Sequence, residues 1–188
     1  MLKKIHLCMN HARRVKRGRE LSFAPGLNLL LGPNGTGKST ILRAIAECEE
    51  CRRIEEGPTE YVFFDAELAN PHTATGPAGN YTNMILRTRA LFSSHGEILQ
   101  DVFKTLGITP KTCLLLDEPE AGQDYDHVLK LRAAMDRAVK RGAQIICATH
   151  EFMFWERAHF IELRRGYRKR ISKAVCRMKC LNEQEDTL

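Results

Sequence analysis

The residues best suited to chemistry are Gly32-Pro33-Asn34-Gly35-Thr36-Gly37-Lys38-Ser39-Thr40, which fit the phosphate-binding pattern G-x-x-x-x-G-K-[ST]. Glycines at these spacings let backbone N–H groups converge on phosphate oxygens, and a helix that starts at the loop adds partial positive charge. Lys38 is expected to reach the β- and γ-phosphates of a nucleotide, and the Ser39 hydroxyl to ligate Mg²⁺. Two further places carry suitable groups. Leu114-Leu115-Leu116-Asp117-Glu118-Pro119 delivers two carboxylates at the end of an apolar run. Asp117 is expected to hold Mg²⁺ directly or through water, and Glu118 to polarise the water that attacks the γ-phosphate. Ala143-Gln144-Ile145-Ile146-Cys147-Ala148-Thr149-His150 ends its own apolar run in an imidazole, which can hydrogen-bond the γ-phosphate or help position that water.

These groups need a scaffold that brings strand ends together. Leu27–Leu31 reads as a buried strand, and Ser39 to Cys51 as a helix with Ile41, Ile45 and Cys48 along one face. Strands are also expected at residues 2–8, 20–24, 60–65, 111–117, 143–149 and 159–163, and helices at 81–92, 96–106 and 125–141, followed by a basic helical tail. Asn70 to Asn80, rich in Gly, Pro, Thr and Asn, reads as an irregular loop. Strands that alternate with helices imply an α/β fold with a mostly parallel sheet, and ligands then bind at the carboxyl ends of the strands. At 188 residues the chain is expected to form one domain, 1–188, with a short helical insertion at 66–111 and a basic tail at 164–188.

Composition narrows the alternatives. No apolar run approaches the ~20 residues needed to span a bilayer, and Met1–His6 lacks the apolar core of a secretory leader, so no membrane insertion and a cytoplasmic location are expected. Seven cysteines, an odd number, argue against a disulfide framework. Cys113 and Cys147 lie in apolar runs and read as core thiols. Cys48-x-x-Cys51 and Cys176-x-x-x-Cys180 could pair around zinc, but Cys48 continues an apolar helix face and the pairs form no tight zinc module in sequence, so no zinc site is expected. The net charge of +6 is concentrated in His11–Arg19 and Arg164–Lys179, clusters that suit either a nucleic-acid footprint or solvated faces.

Taken together, the three motifs and the opening Phe23-Ala24-Pro25-Gly26-Leu27-Asn28-Leu29-Leu30-Leu31-Gly32-Pro33-Asn34-Gly35 resemble the ABC-type P-loop ATPases, over about residues 1–165. The resemblance is closer to the soluble, non-transporter members, the SMC-like and recombination-repair ATPases and their small stand-alone relatives. It implies a three-layer P-loop fold with an N-terminal antiparallel β part, ATP and Mg²⁺ as ligands, and hydrolysis of ATP to ADP and phosphate. In the family's terms Asp117 and Glu118 match the Walker B aspartate and catalytic glutamate, Asp124 the D-loop aspartate and His150 the switch histidine. Ser93-Ser94-His95-Gly96-Glu97 looks like the S-H-G-E form of the signature segment, which implies that Ser94 and Gly96 bind the γ-phosphate held by a second copy in a head-to-tail, ATP-dependent homodimer. The sequence departs from the family at the Q-loop, where Asp65 and Glu67 stand near the place of the glutamine, and at the adenine contact, where Arg13 or Arg14 replaces an aromatic. The short 66–111 segment disfavours docking to a permease, yet an ABC-transporter subunit and an ATP-dependent switch with little turnover remain the alternatives, and a nucleic-acid or protein client stays open.

Overall fold

The computed structural model describes residues 1–15, 17–65 and 107–185, with side chains only as far as residue 177 in the last helix. Eight strands and four α-helices lie within these residues. They are β1 (Leu2–His6), α1 (Met9–Ala12), β2 (Glu20–Ser22), β3 (Leu27–Leu31), α2 (Lys38–Glu47), β4 (Arg52–Glu55), β5 (Glu60–Asp65), β6 (Thr112–Asp117), α3 (Tyr125–Lys140), β7 (Gln144–Ala148), β8 (His159–Glu162) and α4 (Tyr167–Glu185), with a 3₁₀ turn at Phe152–Trp155. The helices expected at 81–92 and 96–106, the 70–80 loop, Glu67 and the Ser93–Glu97 segment lie outside the described residues. Among the described residues no helix is long and apolar enough to cross a membrane.

The strands form two sheets. A parallel sheet runs β5-β6-β7-β3-β8, and an antiparallel sheet runs β2-β1-β4. The central parallel strands are continuous apolar runs because both of their faces are covered. Successive residues point to opposite faces: Leu29, Leu31, Leu114, Leu116, Ile145 and Cys147 pack with Leu131 and Met135 of α3. Their neighbours Leu30, Cys113, Leu115, Ile146 and Ala148 pack instead with Ile41, Leu42 and Ile45 of α2 and with Leu2 and Ile5 of β1. The result is a three-layer α/β arrangement of the P-loop type, with α3 on one face of the parallel sheet and α2 plus the antiparallel sheet on the other. Cys113 and Cys147 are core thiols, and burial pushes the Cys113 pKa up to about 12.

Two buried amides join the layers. Asn28 accepts from the Ala24 N–H at 2.8 Å and donates to the Ala24 carbonyl at 2.8 Å, which holds the entry to β3. Gln144, fully buried, accepts from the Leu2 N–H at 2.9 Å and donates to the carbonyls of Leu2 at 2.8 Å and Ala24 at 2.9 Å. It thereby ties the start of β1 to the start of β7. Gln144→Ala strands these backbone groups away from water, so urea unfolding is expected to show a loss of about 2–4 kcal/mol with an unchanged m-value.

Several boundaries differ from the sequence reading. The helix after the glycine loop ends at Glu47, and Cys48 is already extended, with φ −86° and ψ 116°. The chain turns there because it must reverse to place β4 against β1, a strand whose sparse apolar content gave no periodic signal. Helix α1 is also unanticipated, being only four residues long.

Candidate nucleotide site

The C-terminal ends of β3, β6 and β7 are adjacent, because β7 pairs with both of the other strands. Each end carries one of the sequence motifs, so residues more than a hundred positions apart share one cleft.

The loop after β3 depends on its glycines. Gly35 and Gly37 have φ of 74° and 95°, in the left-handed region that L side chains avoid. A Cβ at Gly37 would also sit 2.8 Å from the Arg14 carbonyl oxygen, and one at Gly32 would sit 2.5 Å from Thr36 Oγ1. Thr36 closes the turn by donating to the Pro33 carbonyl at 2.7 Å. Pro33, Asn34 and Gly35 form the outer part of the loop, with Asn34 and Gly35 exposed. Helix α2 then starts at Lys38 with no side chain capping it, so the N–H groups of its first turn, Ser39 and Thr40 among them, stay available to an anion.

Lys38 is buried, with Nζ donating to the Gly32 carbonyl at 3.1 Å and lying 2.9 Å from His150 Nε2. Burial lowers the pKa of both side chains, and for His150 the Lys38 charge adds to it. The arrangement therefore pairs an ammonium donor with a neutral imidazole acceptor. Glu118 Oε1 lies 3.7 Å from His150 Nε2; with the imidazole neutral, this is a polar approach rather than an ion pair.

Ser39 donates to Asp117 Oδ1 at 3.1 Å. Asp117 is 5% exposed, and its pKa is pushed up to about 6, first by burial and then by Asp65 and Glu118, while the Ser39 hydrogen bond pulls the other way. A hydroxyl and a desolvated carboxylate held side by side beneath a phosphate loop are oxygen donors of the kind Mg²⁺ takes, so these residues fit that ion.

Glu118 follows directly and has φ of 45°, a conformation costly for a residue with a side chain. It is held there because its N–H donates to the Ala148 carbonyl and its own carbonyl accepts from Ala121, both at 2.9 Å. The twist turns the Glu118 side chain off the strand line, where it is partly exposed toward His150. Backbone strain clusters at active sites and ligand clamps, which makes Glu118 a candidate functional residue.

The structure adds partners that sequence reasoning missed. Glu120 accepts from Thr149 Oγ1 at 2.6 Å and from the His150 N–H at 2.9 Å, so one half-buried carboxylate positions the histidine segment. Arg43 donates to Asp65 Oδ2 at 2.8 Å, at the end of β5 beside Asp117. The signal for Arg43 was present, since it lies one helical turn from Ser39 on the same face. Asp124 caps α3, accepting from the His127 N–H at 2.9 Å. Arg13 and Arg14 are exposed, while Arg17 donates to the Glu162 carbonyl at 2.6 Å and lines a cleft with Leu163, Arg165 and Gly166. Leu163 in turn abuts Gly32, its Cβ 3.3 Å from where a Gly32 Cβ would stand. The second basic cluster is partly engaged within the fold, with Arg168 stacked 3.9 Å from the Phe160 ring centre. Ser94 and Gly96 are outside the described residues.

A family model described as an AAA domain matches residues 4–48, from β1 through the glycine loop to the end of α2. The cytochrome c biogenesis ATP-binding export protein CcmA of Maricaulis maris (strain MCS10) is 28% identical over 179 residues, covering 78% of this chain and 84% of that relative. The DNA replication and repair protein RecF of Magnetococcus marinus (strain ATCC BAA-1437 / JCM 17883 / MC-1) is 51% identical over 39 residues, which cover 21% of this chain and 10% of that protein.

Proposed function

We propose that the chain is an ATPase of the ABC-type P-loop class and hydrolyses ATP to ADP and phosphate at the cleft where β3, β6 and β7 end. One observation carries this reading: the glycine loop, Lys38, Ser39, Asp117, Glu118 and His150 converge there although they come from three separated stretches of chain. Ser39 and Asp117 would hold Mg²⁺, which when bound polarises phosphate oxygens as a Lewis acid. The loop N–H groups and the start of α2 bind and orient the phosphates. Lys38 moves its ammonium from His150 onto β- and γ-phosphate oxygens. That move frees His150 Nε2, which in its Nε2–H tautomer donates to a γ-phosphate oxygen, while Glu120 keeps the histidine backbone in place. Glu118 accepts the proton of the attacking water. Positioning and charge stabilisation supply most of the rate in phosphoryl transfer. The cleft beside Arg17 and Leu163 suits the base, with an arginine rather than an aromatic against the ring.

The reading extends to a head-to-tail dimer in which Ser94 and Gly96 of one copy complete the site of the other. Its support is the S-H-G-E segment and the half-exposed position of Glu118 and His150 at the cleft mouth. A second reading, an ATP-binding subunit of an exporter, draws on the relative named for export, whose match covers most of the chain. A nucleic-acid task draws on the shorter match to a repair protein.

Steady-state phosphate release with Mg-ATP is the direct test. The wild-type chain is expected to release free phosphate, and Lys38→Ala to lose both turnover and the thermal shift caused by ATP. Absence of free phosphate, with ATP binding intact, would leave the switch alternative. Adding duplex DNA in one arm and membranes from the source cells in another separates the client classes, since only the true client raises the rate.

A further inference from the structure

The geometry points to a structural zinc site, independent of the nucleotide cleft, formed by Cys8, His11, Cys48 and Cys51. In sequence, Cys48-x-x-Cys51 has only the distant Cys176-x-x-x-Cys180 as a partner pair and Cys48 continues an apolar helix face, so no zinc site is expected there. The fold overturns both premises. Cys48 is the non-helical residue that ends α2, and its partners are Cys8 and His11.

Strand register brings the two pairs together. β1 and β4 run antiparallel with His6 opposite Arg52. Cys8 lies two residues past His6, and Cys51 one residue before Arg52, so both sit at the same end of the sheet. Helix α1 begins right after Cys8 and swings His11 back over it. The chain arriving from α2 supplies Cys48 across the gap. The four donor atoms then lie within 4.8 Å of one another, with His11 Nδ1 at 3.1 Å from Cys8 Sγ and 3.5 Å from Cys51 Sγ.

These separations suit a tetrahedral ion. Zinc binds thiolate at about 2.3 Å and imidazole at about 2.0–2.1 Å, which places ligands on one ion roughly 3.5–3.8 Å apart. The widest separation here exceeds that by about 1 Å, a distance that side-chain rotation closes. Three thiols and one imidazole also match the donor preference of zinc over harder cations. A disulfide would leave the third thiol and the ring unexplained. The Cys8 N–H lies 3.3 Å from Cys51 Sγ, an amide–sulfur hydrogen bond of the kind that stabilises a metal-bound thiolate. Four protein ligands make a closed site, with a structural rather than a catalytic role.

The site has a mechanical consequence. It would clamp α1 to the far end of the helix that starts at Lys38. The segment leaving α1 carries Arg14 and Val15, which press on Gly37 of the phosphate loop. The ion would thus brace the outer wall of that loop from a position outside the nucleotide cleft.

Purified protein, prepared under reduction and without chelator, is expected to contain about one zinc per chain by elemental analysis. Replacement by cobalt(II) is expected to give the intense visible absorption of a tetrahedral thiolate complex. The double variant Cys48→Ser/Cys51→Ser should hold near-zero metal, while Cys176→Ser, altering an exposed thiol elsewhere, should retain it. Hydrogen exchange at residues 8–15 and 47–52 should accelerate on chelation. A wild-type chain that carries no zinc and develops no tetrahedral cobalt spectrum overturns the proposal, as does full metal retention in the double variant. The cobalt titration on the wild-type chain decides the matter even where the double variant does not fold. None of these readouts depends on ATP turnover, so they stand apart from the ATPase proposal.

Discussion

In Glu118→Gln, phosphate release from ATP falls by about 10²- to 10⁴-fold, the range expected for loss of a positioned general base. At about 1.4 kcal/mol per decade this is roughly 3–5 kcal/mol of transition-state stabilisation. The substitution is well suited to the site. Glutamine has nearly the same shape, and the features that hold residue 118 at φ 45°, its N–H on Ala148 and its carbonyl on Ala121, are backbone contacts that survive. What disappears is the capacity to take a proton. ATP affinity should change little, because Lys38, Ser39 and the loop remain. The variant should therefore accumulate with ATP bound, and size-exclusion chromatography with Mg-ATP should show an elution shift to the dimer that the wild-type chain does not hold. A variant that turns over normally would remove Glu118 from the role of base. One that binds ATP, fails to turn over and stays monomeric at high concentration would retain the base and remove the dimer.

In Asp117→Asn the metal-free protein gains stability at alkaline pH while losing ATP turnover. Asp65, Asp117, Glu118 and Glu120 gather at one end of the sheet, and burial and the neighbouring carboxylates raise the Asp117 pKa to about 6 from an ordinary 3.8. The folded state therefore disfavours the ionised form. Below pH 3.8 Asp117 is protonated in folded and unfolded chains alike and exerts no penalty. Between 3.8 and about 6 the unfolded chain ionises first and stability drains away as pH rises; above about 6 the whole penalty is in force. The interval corresponds to about 3 kcal/mol as an upper value. Asparagine avoids the penalty and still accepts from Ser39. With chelator present, urea unfolding at pH 8 should show the variant more stable, and the advantage should vanish toward pH 4. Equal stabilities at pH 8 would mean that the charge of Asp117 is compensated in the folded chain. The trade is physically sensible, because a cation site is built from carboxylates that repel one another until the cation is there.

Much of this site was legible from local sequence. The glycine loop with Lys38 and Ser39 is contiguous, so its chemistry is written in one stretch. Asp117, Glu118 and His150 were legible because each follows a run of buried apolar residues, and a parallel strand has one end at which such groups can emerge. The mostly parallel sheet followed from the alternation of such runs with helices, and the strands β3 and β5 coincide with their expected bounds.

Other features depended on pairings that no local pattern encodes. Glu120 holds His150 across thirty residues of chain, and Gln144 holds Leu2 across 142. Asp65, read as a stand-in for a missing glutamine, meets Arg43 of α2. The thiols are the sharpest case. Cys8-x-x-His11 and Cys48-x-x-Cys51 look like two unrelated pairs in sequence, separated by the whole phosphate loop. Composition, hydrophobic period and motif spacing determined that this chain has a phosphate loop with acidic and imidazole partners at strand ends. Only the antiparallel register of β1 against β4, with His6 facing Arg52, together with the turns at α1 and at the end of α2, decided that three thiols and an imidazole lie within 4.8 Å of one another. Register is a property of two strands together, set by packing across the sheet, and no single stretch of residues carries it.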